Sequence, residues 1–176
     1  MVRHRHHPEE RGEAPSRFPF IFILAAAAGL ACAGCGEDWQ AQTYPARGRI
    51  TINGEPPAGA VVELRSTGEQ PDVRNSRPWG IVQEDGSFTL STYEKGDGAP
   101  AGSYKVVVRW PPDVSQPSLA DRLNGAYANS ESSQWSVEIA ERENQLPPIE
   151  IGGAKVLSRE QARAPRKAPP GPGMGK

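Results

Sequence analysis

The chain has 176 residues, of which 20 are lysine or arginine and 21 are aspartate or glutamate, so its net charge is −1. This length fits one domain, and so small a net charge excludes a protein built around one broad basic surface for nucleic acid. The total hides three unlike segments. Residues 1–34 carry four arginines and three glutamates, residues 35–151 carry ten basic and seventeen acidic side chains, and residues 152–176 carry six basic side chains and one acidic.

The first 34 residues have the composition of an export signal. Arginines precede Phe18, and the run from Phe18 to Ala31 is largely apolar and leads into small residues. A basic start, a short apolar run and small residues at its end are typical of a secretory signal that is removed. A permanent membrane span is the alternative, but it needs about 20 apolar residues, and glycines followed by acidic residues interrupt the run here. We expect residues 1–34 to be a cleaved lipoprotein signal peptide.

Both cysteines of the chain lie at the end of that run, in the stretch Gly29–Gly36 (GLACAGCG). The small Ala-Gly pair before Cys35 resembles the lipobox of bacterial lipoproteins, and the resemblance implies that the Cys35 thiol is acylated and that the chain is cut just before it. A cut before Cys32 is the alternative. A Cys-x-x-Cys spacing suits redox chemistry when a βαβ pattern accompanies it, but no such pattern follows here. The sequence therefore favours Cys35 as a lipidation site.

Lipidation at Cys35 predicts where the protein is found. Each buried methylene contributes about 0.8 kcal/mol, and two or more acyl chains hold a protein stably on a membrane without a spanning helix. We expect a membrane-anchored protein of the cell envelope that faces the periplasm or the exterior, with residues 35–43 as a tether. By the same resemblance, Gly36 in place of an aspartate after the cysteine favours the outer membrane.

Residues 44–151 have the pattern of short β-strands separated by turns. Apolar side chains alternate with polar ones, as in strands with one buried face. Asn53-Gly54 and Asp85-Gly86 are typical of tight hairpin turns, and three Pro-Pro pairs suit strand ends because proline has no backbone donor. Seven such runs predict an all-β, antiparallel, seven-stranded, immunoglobulin-like sandwich. The runs are 47–52, 60–64, 78–82, 87–92, 103–110, 134–140 and 146–151.

Two segments depart from that pattern. In residues 117–123, Ser118 is a candidate N-cap and Leu119 and Leu123 share a helical face, which predicts one or two turns of helix. Residues 152–176 are rich in Gly, Pro, Ala and basic residues, and they hold too few large apolar side chains to offset the entropy of ordering. We expect this basic tail to be disordered.

Several short stretches resemble a known fold. GRITINGEPPAGAVVEL (48–64), DGSFTL (85–90) and PAGSYKV (100–106) resemble the carboxypeptidase regulatory-like, or transthyretin-like, β-sandwich. With DRLNGAY (121–127) and ENQLPPIEI (143–151) added, the body of the chain resembles a family of short bacterial envelope lipoproteins of unassigned function. The resemblance implies a transthyretin-like sandwich and no particular activity.

The body lacks the side-chain sets of common catalysts. All three histidines, at positions 4, 6 and 7, lie in the expected signal peptide, and Cys35 is expected to carry lipid. No Ser-His-Asp or Cys-His set remains, and no His or Cys ligand for zinc. Glu84 and Asp85 are adjacent in a turn, and Glu94 with Asp97 falls short of the oxygen ligands that calcium needs. We expect no enzyme activity, no catalytic residues, no cofactor and no metal.

Binding is the function that the sequence leaves open. Two long connections, 66–79 and 111–133, hold Trp79, Trp110 and Tyr127 in or beside them, and long loops are often functional. Exposed aromatic rings can bind sugars or peptides, whereas buried rings close the ends of a sandwich. We expect a non-catalytic structural or protein-interaction module that contacts an unknown envelope protein or glycan, and no nucleic acid. The alternative is a carbohydrate-binding accessory lipoprotein that uses these aromatics.

Overall fold

The computed structural model describes residues 39–164, so the signal peptide, Cys35 and residues 165–176 lie outside the described residues. The described part consists almost entirely of strands, which confirms the all-β prediction, and three two-residue strands join the seven predicted runs. No helix in this part is long and apolar enough to cross a membrane. The elements are β1 (Thr43–Tyr44), β2 (Ala46–Ile52), β3 (Val61–Ser66), β4 (Trp79–Ile81), β5 (Ser87–Thr89), β6 (Ala99–Pro100), β7 (Gly102–Arg109), β8 (Ser136–Ile139), β9 (Asn144–Gln145), β10 (Ile149–Ile151) and α1 (Arg159–Arg163).

One sheet has the strand order β4-β3-β7-β8, and every neighbour in it is antiparallel. Its centre is the β3–β7 pair, which runs in register from Val61 opposite Arg109 to Ser66 opposite Tyr104. Valine is frequent in both strands, and branched side chains pack well on a pleated surface. Val62 and Leu64 are fully buried, whereas the residues between them are only half-buried. The predicted alternation therefore sets which face of this sheet enters the core.

The second sheet has the order β10-β2-β5, with β9 also paired to β2. β2 is antiparallel to β5 but parallel to β9 and β10. The prediction of a wholly antiparallel sandwich is therefore wrong for this sheet. Parallel neighbours need a long crossover connection, and here the chain between β2 and β9 passes through the other sheet, which supplies that crossover.

Buried side chains from both sheets form one apolar cluster. Phe88 and Leu90 meet Val62, Leu64 and Val108 there, each 1 % exposed or less. Burial of a side chain of this size stabilises the fold by about 1.5–3 kcal/mol. The observed architecture is thus a β-sandwich around a single core, as the alternation of apolar residues predicts.

The turn at Glu84–Gly86 links the two sheets. The amide of Gln83 donates to the Ser87 carbonyl at 2.8 Å, and the amide of Gly86 donates back to the Gln83 carbonyl at 3.0 Å. The predicted tight turn therefore forms. Its flanking strands nevertheless belong to different sheets, since β4 pairs with β3 and β5 pairs with β2.

Residues 39–44, called the strap below, pack against one end of the sandwich. Within the strap, β1 pairs with β6, with Tyr44 opposite Ala99. The loop 67–78 leaves β3 at the same end, because β3 is antiparallel to β7 and the amide of Thr67 donates to the Ser103 carbonyl at 3.0 Å. We call this the strap end. The far end, about 24 Å along β7, carries Trp110 and the loop that begins at residue 111.

The predicted helix at 117–123 does not form; residues 117–121 have no helical turn and residues 122–127 form successive turns. The reason is the carboxylate of Asp121, which is 5 % exposed. It accepts from the backbone amides of Trp110, Leu123 and Gly125 at 2.9–3.0 Å. Those bonds fold the segment around the carboxylate, and Leu119 is left 92 % exposed rather than on a buried face.

Residues 152–164 also differ from the expectation of disorder, since they follow the sandwich and end in α1. The side chain of Asn53 exchanges two hydrogen bonds with the backbone of Ala154, at 2.8 and 2.9 Å. The amide of Leu157 donates to the Arg122 carbonyl at 2.8 Å, and Ser158 caps α1 in a capping box with Gln161. Local polar bonds and caps thus order a segment with few apolar residues. The rest of the predicted tail lies outside the described residues.

Candidate functional site

Trp79 is the one predicted aromatic that the structure leaves open to solvent, with 44 % of its surface exposed. It begins β4, which forms an edge of its sheet, and a cavity of about 870 Å³ lies beside it. Hydroxyl, amide and charged side chains share the walls of this cavity with the indole. The walls include Gln83, Ser87, Thr89, Thr92, Tyr93, Glu94 and Lys95.

A second, smaller cavity of about 230 Å³ lies on the outer face of the same sheet, and Trp79 lines it as well. Its floor is formed by β3, β4 and β7, and residues of the 111–118 loop cover one side. The lining includes Val61, Glu63, Ile81, Val107, Arg109, Pro111 and Val114. The indole of Trp79 therefore separates two concave surfaces, and a ligand in either one would touch it.

Trp110 is held inside the far end. Its indole nitrogen donates to the Ala58 carbonyl at 3.0 Å, and the guanidinium of Arg122 lies 3.9 Å from its ring centre. Its backbone amide donates to the carboxylate of Asp121. With both faces and its polar atom occupied, this ring closes the core instead of presenting a binding platform.

Tyr127 also packs inward, against the core cluster. Its ring centre is 5.9 Å from that of Trp135, at an interplanar angle of 56°, and its carbonyl accepts from the amide of Val108 at 2.9 Å. Neither cavity beside Trp79 includes Trp110 or Tyr127 in its lining. The three predicted aromatics therefore do not form one site, and only Trp79 is placed to meet a ligand.

The loop carboxylates are used to hold turns. Asp97 accepts from the amides of Thr92, Tyr93 and Glu94 at 2.7–3.2 Å. Asp85 accepts from the amide and hydroxyl of Ser87, and these bonds lower the pKa of its carboxyl. Within residues 39–164, no three His, Cys, Asp or Glu side chains are grouped so as to hold a metal ion.

The strap end contains a polar and aromatic cluster that the sequence did not reveal. The Tyr93 hydroxyl donates to Asp72 at 2.5 Å and accepts from the amide of Ala41 at 3.0 Å. The ring of Tyr93 meets that of Trp39 edge to face, with centres 5.4 Å apart, and the guanidinium of Arg74 lies 3.6 Å from the Trp39 ring centre. These contacts join three segments that are distant in sequence, which is why no local pattern marks them.

The protonation of this cluster follows from its contacts. Burial alone would raise the pKa of Asp72, but hydrogen bonds from Tyr93, Ser76 and Arg74 outweigh burial and lower it. Burial first, and then the hydrogen bond to Asp72, raise the pKa of Tyr93 to about 12. At neutral pH the pair is therefore a neutral phenol that donates to a carboxylate, which is a charge-assisted hydrogen bond.

Two solved structures overlap with this chain. One is a protein of the DUF3823 family from Parabacteroides merdae, with 16 % identity and a TM-score of 0.37; the overlap covers 64 % of this chain and 47 % of that protein, so the chain spans about half of its length. The other is the 5-hydroxyisourate hydrolase of Klebsiella pneumoniae, with 21 % identity and a TM-score of 0.32 over 66 % of this chain and 94 % of the hydrolase. No family model and no curated protein matches the sequence. None of these overlaps assigns an activity or a partner to the chain.

Proposed function

We propose that this protein is a lipid-anchored cell-envelope protein whose sandwich acts, without catalysis, as a structural or protein-interaction module. The observation that carries the proposal is a lipobox-like cysteine placed four residues before Trp39, where the chain already packs against the sandwich. An acylated Cys35 would hold such a domain at a membrane surface through its lipid alone. The partner that the module meets there is another envelope component, a protein or a glycan.

The absence of catalysis is part of the proposal, and the chemistry of the body supports it. Every histidine of the chain lies within residues 1–34. The buried carboxylates of the described residues, such as Asp121, are satisfied by backbone amides and face no cavity. Acid–base work needs a titratable group within reach of a substrate.

The anchor is tested by a matched pair of cysteine variants of the full chain, expressed in a bacterium that exports it. Cys35→Ser should move the protein from the membrane fraction to the soluble fraction and abolish metabolic labelling with an alkynyl fatty acid. Cys32→Ser is the control, because it removes the other thiol of the same stretch, and it should keep both the label and the membrane fraction. Labelling that survives Cys35→Ser would refute Cys35 as the anchor.

Carbohydrate binding is the second candidate, and one observation favours it: an exposed indole beside a cavity of about 870 Å³ that polar side chains line. Sugars stack on aromatic faces and take hydrogen bonds from neighbouring polar groups. Glycan-array binding that is lost in Trp79→Ala but kept in Leu119→Ala would establish this function. Photocross-linking from position 79 in intact cells that traps one protein would instead favour the interaction module.

A further inference from the structure

We propose that the strap end of the sandwich lies against the lipid bilayer, with Val73 and Trp39 at the interface. This inference rests on the proposed acylation of Cys35. It adds to the proposed function an orientation: one end of the domain faces lipid, and the far end and the cavities beside Trp79 remain available to partners.

The first support is the length of chain between the acylated residue and the fold. Only three residues separate Cys35 from Trp39, so the two α-carbons can be at most about 14 Å apart. Trp39 itself contacts Tyr93 and Arg74, and β1 continues the strap by pairing with β6. A lipid on Cys35 therefore brings the strap end, and not the far end, to the membrane surface.

The second support is the way in which the loop 67–78 presents its residues. The carboxylate of Asp72 accepts from the amides of Arg74 and Ser76 at 2.8 and 3.1 Å, and its carbonyl accepts from the amide of Asn75. Its other oxygen is held by Tyr93. This turn leaves Val73 81 % exposed, and its tight bonding maintains that exposure at a cost in ordering entropy.

The third support is the chemistry of the surface. Of the four exposed large apolar side chains among the described residues, Val73 belongs to the strap end, Val114 and Leu119 belong to the far-end loop, and Trp79 lies along the side. At the strap end, Val73 lies next to an indole stacked by a guanidinium. A tryptophan and an arginine with apolar neighbours suit the headgroup region of a bilayer, where one part of each side chain is apolar and the other is wet.

Net charge does not explain the contact, since residues 35–151 carry seven more acidic than basic side chains. We therefore assign the contact to the tether and to apolar insertion, and choose zwitterionic lipid for the test. The acylated full-length protein would be reconstituted into phosphatidylcholine vesicles that contain phosphatidylcholine with a nitroxide near its headgroup. A thiol-reactive environment-sensitive fluorophore would be placed at position 73 by Val73→Cys, or at position 119 by Leu119→Cys as the matched far-end control.

We expect nitroxide quenching to be several-fold stronger for the label at 73 than for the label at 119, with emission shifted to the blue only at 73. Equal quenching at the two positions, or stronger quenching at 119, would overturn the proposed orientation while leaving the anchor intact. If the wild-type protein takes the label on Cys35 and does not float with the vesicles, the anchor itself fails. Both labelled positions are highly exposed, so the substitutions should not disturb folding, and matching thermal melts would verify this.

Discussion

The phenol of Tyr93 donates a hydrogen bond of 2.5 Å to the carboxylate of Asp72, and this bond joins the loop before β4 to the loop after β5. Because the same hydroxyl accepts from the amide of Ala41, one oxygen atom links the strap to both loops. The strap end therefore depends on a polar contact that is only partly protected from water.

Tyr93→Phe should lower the free energy of unfolding by about 1 kcal/mol. A hydrogen bond to a charged group contributes about 1.5–3 kcal/mol when well shielded, and solvent screening reduces this at a half-exposed site. Urea denaturation measures the change. In a double-mutant cycle with Asp72→Asn, the two losses should sum to more than the loss in the double variant; additive losses would mean that the two groups do not interact.

The same contact predicts a dependence on pH. The lowered pKa of Asp72 makes its contribution to stability complete above its ordinary value of 3.8, and that contribution is lost as the pH falls below it. The raised pKa of Tyr93 makes its contribution complete below 10 and lost as the pH rises towards about 12. Thermal melts across pH should show that Tyr93→Phe flattens part of the alkaline decline. An unchanged alkaline slope in the variant would contradict the assignment, with Tyr104 accounting for whatever decline remains.

Gly98→Ala should detach the strap, and Gly96→Ala should not. Both glycines have left-handed φ angles, +94° and +78°, so either substitution carries a backbone penalty of about 1–2 kcal/mol. Only at Gly98 would a β-carbon overlap the backbone of Tyr44, since nothing lies near the corresponding position at Gly96. Hydrogen exchange at the amide of Ala41 should accelerate strongly in Gly98→Ala alone. Equal acceleration in both variants would show that strain, and not contact with the strap, is responsible.

Asp121→Ala should be the most damaging of the carboxylate substitutions discussed here, with a loss of about 3 kcal/mol. It would leave three backbone amides without their acceptor, and a buried unsatisfied donor costs about 1–3 kcal/mol. Asp113→Ala is the matched control, because Asp113 accepts from Ser115 in an exposed turn and pairs with Arg163 at 3.6 Å. Chemical denaturation should give a loss below about 1 kcal/mol for the control. Comparable losses in the two variants would contradict this account of the 121–127 loop.

Arg122→Lys should loosen residues 154–158. The guanidinium stacks on Trp110, and its Nε donates to the Leu157 carbonyl at 3.0 Å; an ammonium group cannot do both. Hydrogen exchange at Leu157 should rise several-fold, while Arg142→Lys on the exposed surface should leave it unchanged. Protection that survives Arg122→Lys would show that the backbone bonds alone order the segment.

Much of the fold was predictable, because alternation reports directly on which face of a strand is buried. The runs at 47–52 and 103–110 match β2 and β7 within one residue. The parallel pairing of β9 and β10 with β2 was not predictable, since alternation carries no information about the direction of the neighbouring strand. Asp121 illustrates a further limit: a Ser-x-x-Asp pattern fits a helix cap, but here the carboxylate binds amides on both sides of a loop.

The candidate site was predictable only in part, for the same physical reason. Trp79, Trp110 and Tyr127 have similar local sequence contexts, and only the tertiary packing of Arg122 and Trp135 distinguishes the buried rings from the exposed one. The strap was assigned to a tether because its bonds to Tyr93 and β6 are long-range. Contacts between residues more than fifty positions apart leave no periodic signal in the sequence.

The most direct test of the central claim, that Cys35 carries the protein's membrane anchor, is intact-mass and fragmentation mass spectrometry of the full chain recovered from the membranes of exporting cells. The account predicts a chain that begins at Cys35, with diacylglycerol on its sulfur and a further acyl group on its amino nitrogen. A chain that still begins at Met1, or one whose Cys35 thiol is free, would contradict it.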